Sequence, residues 1–333
     1  MRRSRCSQLL AAALAIARSG LQAQQAPSAE GATFLLLPVG ARAVALGQAA
    51  VADAGTAEGL FWNPAALASL PRSEFAFHHH TAFFGITDAA SVSVVANGVG
   101  TFSLAAFIVD YGDFPVTPGG PGGGPQPIGQ ITTRNLALLA SYATQLSAAV
   151  HGGISYKLAQ LRVDCSGECS TVPTATGTTH AVDLGVQVII PAAVPIVFGA
   201  ALRNFGFKLQ VNNQAQADPL PTRLQLGVAV VVLRASPRTG RLDLRLLADV
   251  RGPLGSDGGA GGGQVTLVGL ESGAGETVRL RAGYAFSEGE TRGPSFGVGI
   301  RVGTVVLDLA RVFYASDALA EREPVHLSLR VAF

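Results

Sequence analysis

Charged residues are scarce in this chain: Asp, Glu, Lys and Arg make up 14% of its 333 residues, against about a quarter in an ordinary soluble domain. Long apolar runs are missing as well. Beyond the N-terminus, no stretch of the roughly 20 residues that a membrane helix requires escapes interruption by a charge, a glycine or a polar residue. A chain that is 48% hydrophobic and has no spanning helix must satisfy its backbone amides in hydrocarbon another way, and the remaining solution is a closed β-barrel. The formal net charge of only +2 gives no basic footprint for a nucleic-acid partner. Six histidines, with no set that reads as nucleophile, base and orienting group, point away from an enzyme. No GxxxxGK[ST] follows a strand and opens a helix, so the glycine-rich stretches are not phosphate cradles, and no cofactor is expected.

What the chain does have is alternation. In the last stretch Val325, Leu327, Leu329, Val331 and Phe333 share one face while His326, Ser328 and Arg330 share the other, because successive side chains of a strand point to opposite faces. Leu242, Leu244, Leu246, Ala248 and Val250 likewise oppose Asp243, Arg245, Asp249 and Arg251, with Leu247 the exception. Val278, Leu280, Ala282, Tyr284 and Phe286 oppose Arg279, Arg281 and Gly283. Fourteen such stretches are predicted, at 73–80, 86–97, 99–111, 131–145, 148–163, 178–190, 195–205, 221–234, 241–251, 264–271, 275–287, 294–302, 304–314 and 325–333. A soluble sandwich alternates too, and the connections separate the two cases. Long or moderate ones (112–130, 164–177, 206–220, 252–263, 315–324) fall among the odd-numbered connections, with tight turns such as Asn97-Gly98, Pro191–Val194, Ser272–Ala274 and Gly303 between them. Short turns at one end and longer loops at the other are the layout of an outer-membrane barrel. The expected fold is thus an all-β transmembrane antiparallel barrel of about 14 strands over residues 73–333, ending on a membrane-targeting aromatic, Phe333. Its partners would be outer-membrane lipid and the barrel-assembly machinery.

Fourteen strands about 4.8 Å apart and tilted about 40° enclose a backbone diameter of about 28 Å, which wall side chains alone do not fill. The segment 24–72 has a different texture, Ala-rich with short helical turns expected to break at Gly40, Gly47, Gly55 and Gly59 and to restart at Pro64. It is too short for a core of its own, and is expected to be a plug entering from the periplasmic side. Residues 1–23 read as an export signal, with Arg2, Arg3 and Arg5 before an apolar core from Leu9 to Ala17 and cleavage near Ala23. Cys6 leaves with that signal. Cys165 and Cys169 enclose Ser166, Gly167 and Glu168; a local disulfide is expected in an oxidising compartment, with free thiols the alternative and zinc disfavoured.

The stretch Gly40-Ala41-Arg42 to Leu46-Gly47, the Ala/Asp-rich run after it, and Trp62-Asn63-Pro64-Ala65 resemble the N-terminal signature of the PorV/PorQ family of bacterial outer-membrane proteins. They also resemble the wider FadL-type group, whose hatch carries a similar Asn-Pro-Ala. The FadL-type resemblance implies a hatch inside the barrel and passive uptake of hydrophobic small molecules; the PorV-like one implies a type IX secretion role with exported protein cargo. Hatch or gating residues would be Gly40, Arg42, Gly47, Trp62, Asn63, Pro64 and Ala65. Asn63 and Pro64 read equally as a gate and as a structural anchor, and Trp62 as an anchor on the wall or an interface residue. Lumen-facing candidates are Arg223, Asp243, Arg245, Asp249, Arg279, Arg281, Arg301, Asp308 and Arg330, expected to brace the wall or grip the plug. His78-His79-His80 places at most two rings on one face, which disfavours a metal site and favours a place on the rim.

Overall fold

The computed structural model describes residues 30–82, 85–117, 127–169, 174–191, 194–211, 217–235, 242–254, 263–275, 277–286, 292–314 and 324–333. The export signal expected at 1–23 and the glycine-rich loop stretches 118–126 and 255–262 lie outside the described residues. Among the described residues fourteen antiparallel strands close into a barrel. They are β1 Glu74–Ala82, β2 Gly85–Ala96, β3 Gly100–Val116, β4 Gly129–Gln145, β5 Val150–Gly167, β6 Ala175–Ile190, β7 Ile196–Gly206, β8 Arg223–Ala235, β9 Leu242–Pro253, β10 Val265–Ala274, β11 Val278–Phe286, β12 Gly293–Val302, β13 Val305–Val312 and β14 Val325–Ala332. Each strand pairs with its chain neighbours, and β14 closes on β1 with Glu74 opposite Ala332. Closure leaves no free sheet edge.

The surface is inverted relative to a soluble protein. Leu104, Leu226, Leu280, Phe296, Ile300 and Leu307 stand exposed on the outside, while Ser93, Ser155, Asp183, Gln187, Gln225 and Asp308 are fully buried inside. Large apolar side chains fill the outer face because the two faces alternate with period 2, and burial follows the same alternation along β2, β3 and β13. Short connections gather at one end of the barrel, here the turn end, which also holds the start of β1 and the end of β14; the longer ones gather at the opposite, loop end, where only β1–β2 is joined by as few as two residues. Phe333 follows β14 at the turn end, where its N–H donates to Ser73 O.

The wall is uneven in height. β3 to β6 have 16 to 18 residues each, whereas β13 and β14 have 8. β3 and β5 run on past the predicted ends at 111 and 163. The outer faces of β3, β4 and β5 turn polar there, at Asp110, Arg134 and Arg162, so the apolar mark stops while the backbone ladder continues. Arg134 pairs with Asp110 at 2.9 Å and Arg162 with Asp164 at 2.7 Å on this extension, and a bulge between Asp110 and Asp113 bends β3.

Residues 30–72 lie inside the barrel and run its length. Glu30 is held by Arg223 at the loop end of β8 (2.8 Å), and the chain leaves at the turn end through Pro71 and Arg72 into β1. Between these points come a 3-10 turn at Thr33–Leu36, an α-helical turn at Ala41–Ala45, another at Gly59–Trp62 and a 3-10 helix at Pro64–Ser69. Gly40 (φ 96°) and Gly47 (φ 64°) flank the first α-turn in left-handed conformations, and so do break it. Gly59 does not break a helix but starts one, and its lack of a side chain lets the turn pack against Ala66, whose Cβ an added Cβ would meet at 2.7 Å. Pro64 opens the last helix with Asn63 as its N-cap, the Asn63 side chain accepting from Ala65 N.

Candidate functional site

The N-terminal segment can lie against the wall because the wall loses its side chains there. Gly153 of β5 faces Gly185 of β6 in register, Gly199 of β7 faces Gly227 of β8, and Gly269 of β10 faces Gly283 of β11. An added Cβ at each of the six would come within 3.0 Å of its surroundings: Asn63, Pro64 and Ala65 at the first pair, Val51 and Ala52 together with the wall's own Asp249 at the second, and Leu46 and Gly47 at the third. Backbone of the segment thus rests on backbone of the wall, where polar groups of each can be shared. Asn63 Nδ2 donates to Val51 O (2.7 Å) within the segment and to Val186 O (3.2 Å) on β6, while Gln187 Nε2 reaches Val51 O and Asp53 O. Asn63 therefore ties two parts of the segment to each other and to the wall.

The turn-end half of the lumen is charged. Arg42 pairs with Asp53 and with Glu271, both at 3.1 Å. Asp53 also accepts from Arg245, and Glu271 from Arg281 at 2.6 Å. Asp308, fully buried, joins Arg281 (2.6 Å) to Arg330 (2.7 Å), and Arg330 approaches Glu74 at 3.9 Å. Arg279 pairs with Asp243 at 2.6 Å, and Asp249 accepts from Val51 N (2.9 Å) and Gln225 (2.7 Å). Glu58 accepts from Ala43 N, and burial holds its carboxyl above the usual carboxylate range. Most of these ions are buried, and a buried ion without partners is very costly; the chain of pairs meets that demand.

The loop-end half is apolar. Phe34, Phe61, Trp62, Phe107, Val109 and Leu139 form one buried cluster that joins the segment to β3 and β4. Phe34 stacks on Phe107 with centroids 6.1 Å apart, and Trp62 Nε1 donates to Val39 O at 2.9 Å. Two cations border this cluster. Lys157 Nζ is held by Asp183 (2.6 Å) and Asn204 (2.8 Å), and the Arg203 guanidinium lies over the Trp62 ring at 5.1 Å. A bulge between β6 and β7 leaves both Arg203 and Asn204 buried, although neighbouring strand residues ordinarily face opposite sides. The space left between Leu35, Phe61, Trp62, Phe107, Lys157 and Arg203 is about 20 Å³. That holds a water molecule; benzene needs a cavity of roughly 150 Å³.

All nine predicted lumen charges lie on the inner face. Six of them, Asp243, Arg245, Arg279, Arg281, Asp308 and Arg330, join the turn-end pairs above; Arg223 binds Glu30, Asp249 binds the Val51 backbone, and Arg301 stands exposed at the turn-end mouth. His78 and His80 do not sit on the rim. They are buried in the lumen, where His78 Nδ1 meets Ser328 Oγ at 2.8 Å and His80 stacks on His326 at 4.4 Å, while His79 faces outward to Asp88. No group of three or more metal-binding side chains occurs among the described residues. Cys165 and Cys169 are disulfide-bonded at the loop-end tip of β5. Gly293-Pro294-Ser295-Phe296-Gly297 fits the spacing of a serine-hydrolase elbow, yet Ser295 sits within a strand and bonds Ala45 O and Gly47 N, in place of a strand–turn–helix nucleophile. Sequence reasoning missed Glu58, Glu271, Lys157 and Asp183. Glu271, Lys157 and Asp183 were marked by the alternation of β10, β5 and β6, whereas the burial of both Arg203 and Asn204 beside Lys157 depends on a bulge that no periodicity shows.

No protein-family model and no curated protein sequence matches the chain. Solved structures do match in fold. The Ralstonia pickettii toluene transporter TbuX superposes with a TM-score of 0.57 at 12% identity, over 88% of this chain and 98% of that one. The CymD monoaromatic hydrocarbon channel gives 0.57 at 14% identity, over 90% and 98%. A Pseudomonas aeruginosa FadL homologue gives 0.51 at 12% identity, over 89% and 99%. The architecture is therefore that of the FadL-type transporter barrels, proteins that are channels and transporters by description.

Proposed function

We propose that this chain is a FadL-like outer-membrane barrel that passes hydrophobic small molecules without an energy source, and that it is not an enzyme. Residues 1–23 act as its export signal, 24–72 as its plug and 73–333 as its barrel, with outer-membrane lipid around it and the barrel-assembly machinery as its folding partner. The observation that carries the reading is the loop-end apolar cluster around Phe34, Phe61, Trp62, Phe107 and Leu139, with a space of about 20 Å³ left between it and the two bordering cations, Lys157 and Arg203. The apolar wall suits an apolar guest and the volume refuses one, so the plug moves for anything to pass. The outer-face apolar band, the loop and turn asymmetry, and the fold of the toluene transporters support the same reading.

Within the plug, Asn63 is the gate residue, since its side chain joins Val51, Ala65 and the β6 wall; Gly40, Arg42, Gly47, Trp62, Pro64 and Ala65 shape and seat the element around it. The finer affiliation, to the PorV/PorQ type, is supported by the Gly40–Gly47 and Trp62–Ala65 stretches. The test is uptake of labelled toluene and of a labelled fatty acid into vesicles with a lipopolysaccharide outer leaflet. Intact protein should accelerate uptake of at least one, and Asn63→Ala should change the rate while the barrel stays folded. Rates equal to those of protein-free vesicles contradict the reading, and co-purification with large exported proteins in that event would favour a secretion-accessory role.

A further inference from the structure

The turn-end mouth opens as a cavity of about 450 Å³ whose wall carries six arginines, Arg42, Arg72, Arg279, Arg281, Arg301 and Arg330, against two carboxylates, Glu74 and Glu271. Asp53, Asp243 and Asp308, which pair with four of these cations or their neighbours, do not line it. Four guanidiniums are thus neutralised and fixed by carboxylates on other sides of the network, which leaves the cavity's unpaired charge to the other two. Arg72 and Arg301 differ from the rest. Both are exposed, and neither has an ion-pair partner among the described residues.

A wall built for structure alone would have no use for two unmatched charges on a concave surface, where low-dielectric walls concentrate the field. Arg301 is kept on the inner face by the β12–β13 register, opposite buried Val306, and its backbone N–H is held by Thr277 O at 2.7 Å. Thr56, Thr277 and Thr304 add hydroxyl groups to the same wall. Forked guanidinium donors with adjacent hydroxyls match the oxygens of a phosphate, which arginine binds through paired N–H donors. Two free positive charges match a dianion.

From this geometry we propose that the turn-end mouth is a binding site for a dianionic phosphate group, with Arg72 and Arg301 as its primary ligands and the paired arginines as the fixed wall around them. The site is separate from the apolar chamber and does not depend on the transport reading. Its phosphate belongs either to a free solute or to a phosphomonoester lipid headgroup at the membrane face.

The full chain in non-ionic detergent at low ionic strength is titrated calorimetrically with inorganic phosphate. One saturable site is expected, weakened at least tenfold in the double variant Arg72→Gln/Arg301→Gln and retained in Lys208→Gln, which removes a charge at the loop end. Heat-modifiable migration on gels verifies that each variant keeps its barrel. Repeating the titration in phosphatidylcholine nanodiscs with and without phosphatidate separates the sources: an apparent affinity lowered by phosphatidate assigns the site to the headgroup, and an unchanged one assigns it to a free solute. Absence of saturable phosphate binding in detergent and in phosphatidylcholine discs, or equal binding by the double variant and the native chain, overturns the proposal.

Discussion

The two halves of the lumen are filled by the same segment in opposite ways. At the turn end, contacts between segment and wall are ion pairs, Arg42 to Glu271 and Asp53 to Arg245. At the loop end, beyond the single Glu30–Arg223 pair where the segment enters, they are ring and cation–ring contacts, Phe34 to Phe107 and Trp62 under Arg203. An ion-paired network is stiff, because displacing one partner strands the others as buried charges. An apolar cluster offers another apolar molecule an equivalent environment, and its contacts are non-directional. The difference assigns anchoring to the turn half and exchange to the loop half.

The largest expected effect is at the anchor. Asp308→Ala leaves Arg281 and Arg330 without their shared carboxylate and should cost about 3–5 kcal/mol in urea unfolding from detergent. A loss below about 1 kcal/mol would mean that the turn half is not the stiff one. Next comes the exchange half, where Phe107→Ala empties part of the cluster at a cost of about 3 kcal/mol and should speed toluene uptake severalfold. A slower rate would break the contrast.

Seating is tested by Gly185→Ala, which forces Asn63 away from β6 at about 1–3 kcal/mol. The barrel should stay closed by heat-modifiability while residues 30–72 become open to protease. Smallest is Glu58→Gln. Burial raises the Glu58 carboxyl in the folded chain above its unfolded value, so its contribution is complete at acid pH and is lost as pH rises through the folded value. The glutamine variant should flatten that part of the profile of stability against pH, and an unaltered slope would remove Glu58 from the anchor.

The barrel was legible in the sequence because lipid outside and charge inside make every strand declare its faces. All fourteen strands follow from alternation, and the inward direction of Arg245, Arg281, Asp308 and Arg330 follows from parity alone. Partners were not legible. Which acid meets which arginine depends on register and on the path of the segment, and neither leaves a periodic trace; Glu271 pairs with Arg42 across 229 positions of sequence. Nor did the six glycines of the seats differ in sequence from those of turns, since their meaning lies in facing one another across strands. The loop-end site stayed hidden for a third reason: the bulge at Arg203 and Asn204 breaks the very alternation from which the rest was read.

Hydrogen exchange of the backbone amides of residues 40–69 in vesicle-embedded protein, with and without saturating toluene, bears most directly on the claim that an apolar guest passes by displacing the apolar half of a plug anchored in its charged half. Toluene should accelerate exchange at Phe61 and Trp62 while amides near Arg42 and Asp53 stay protected. Uptake that proceeds with both regions equally protected would contradict it.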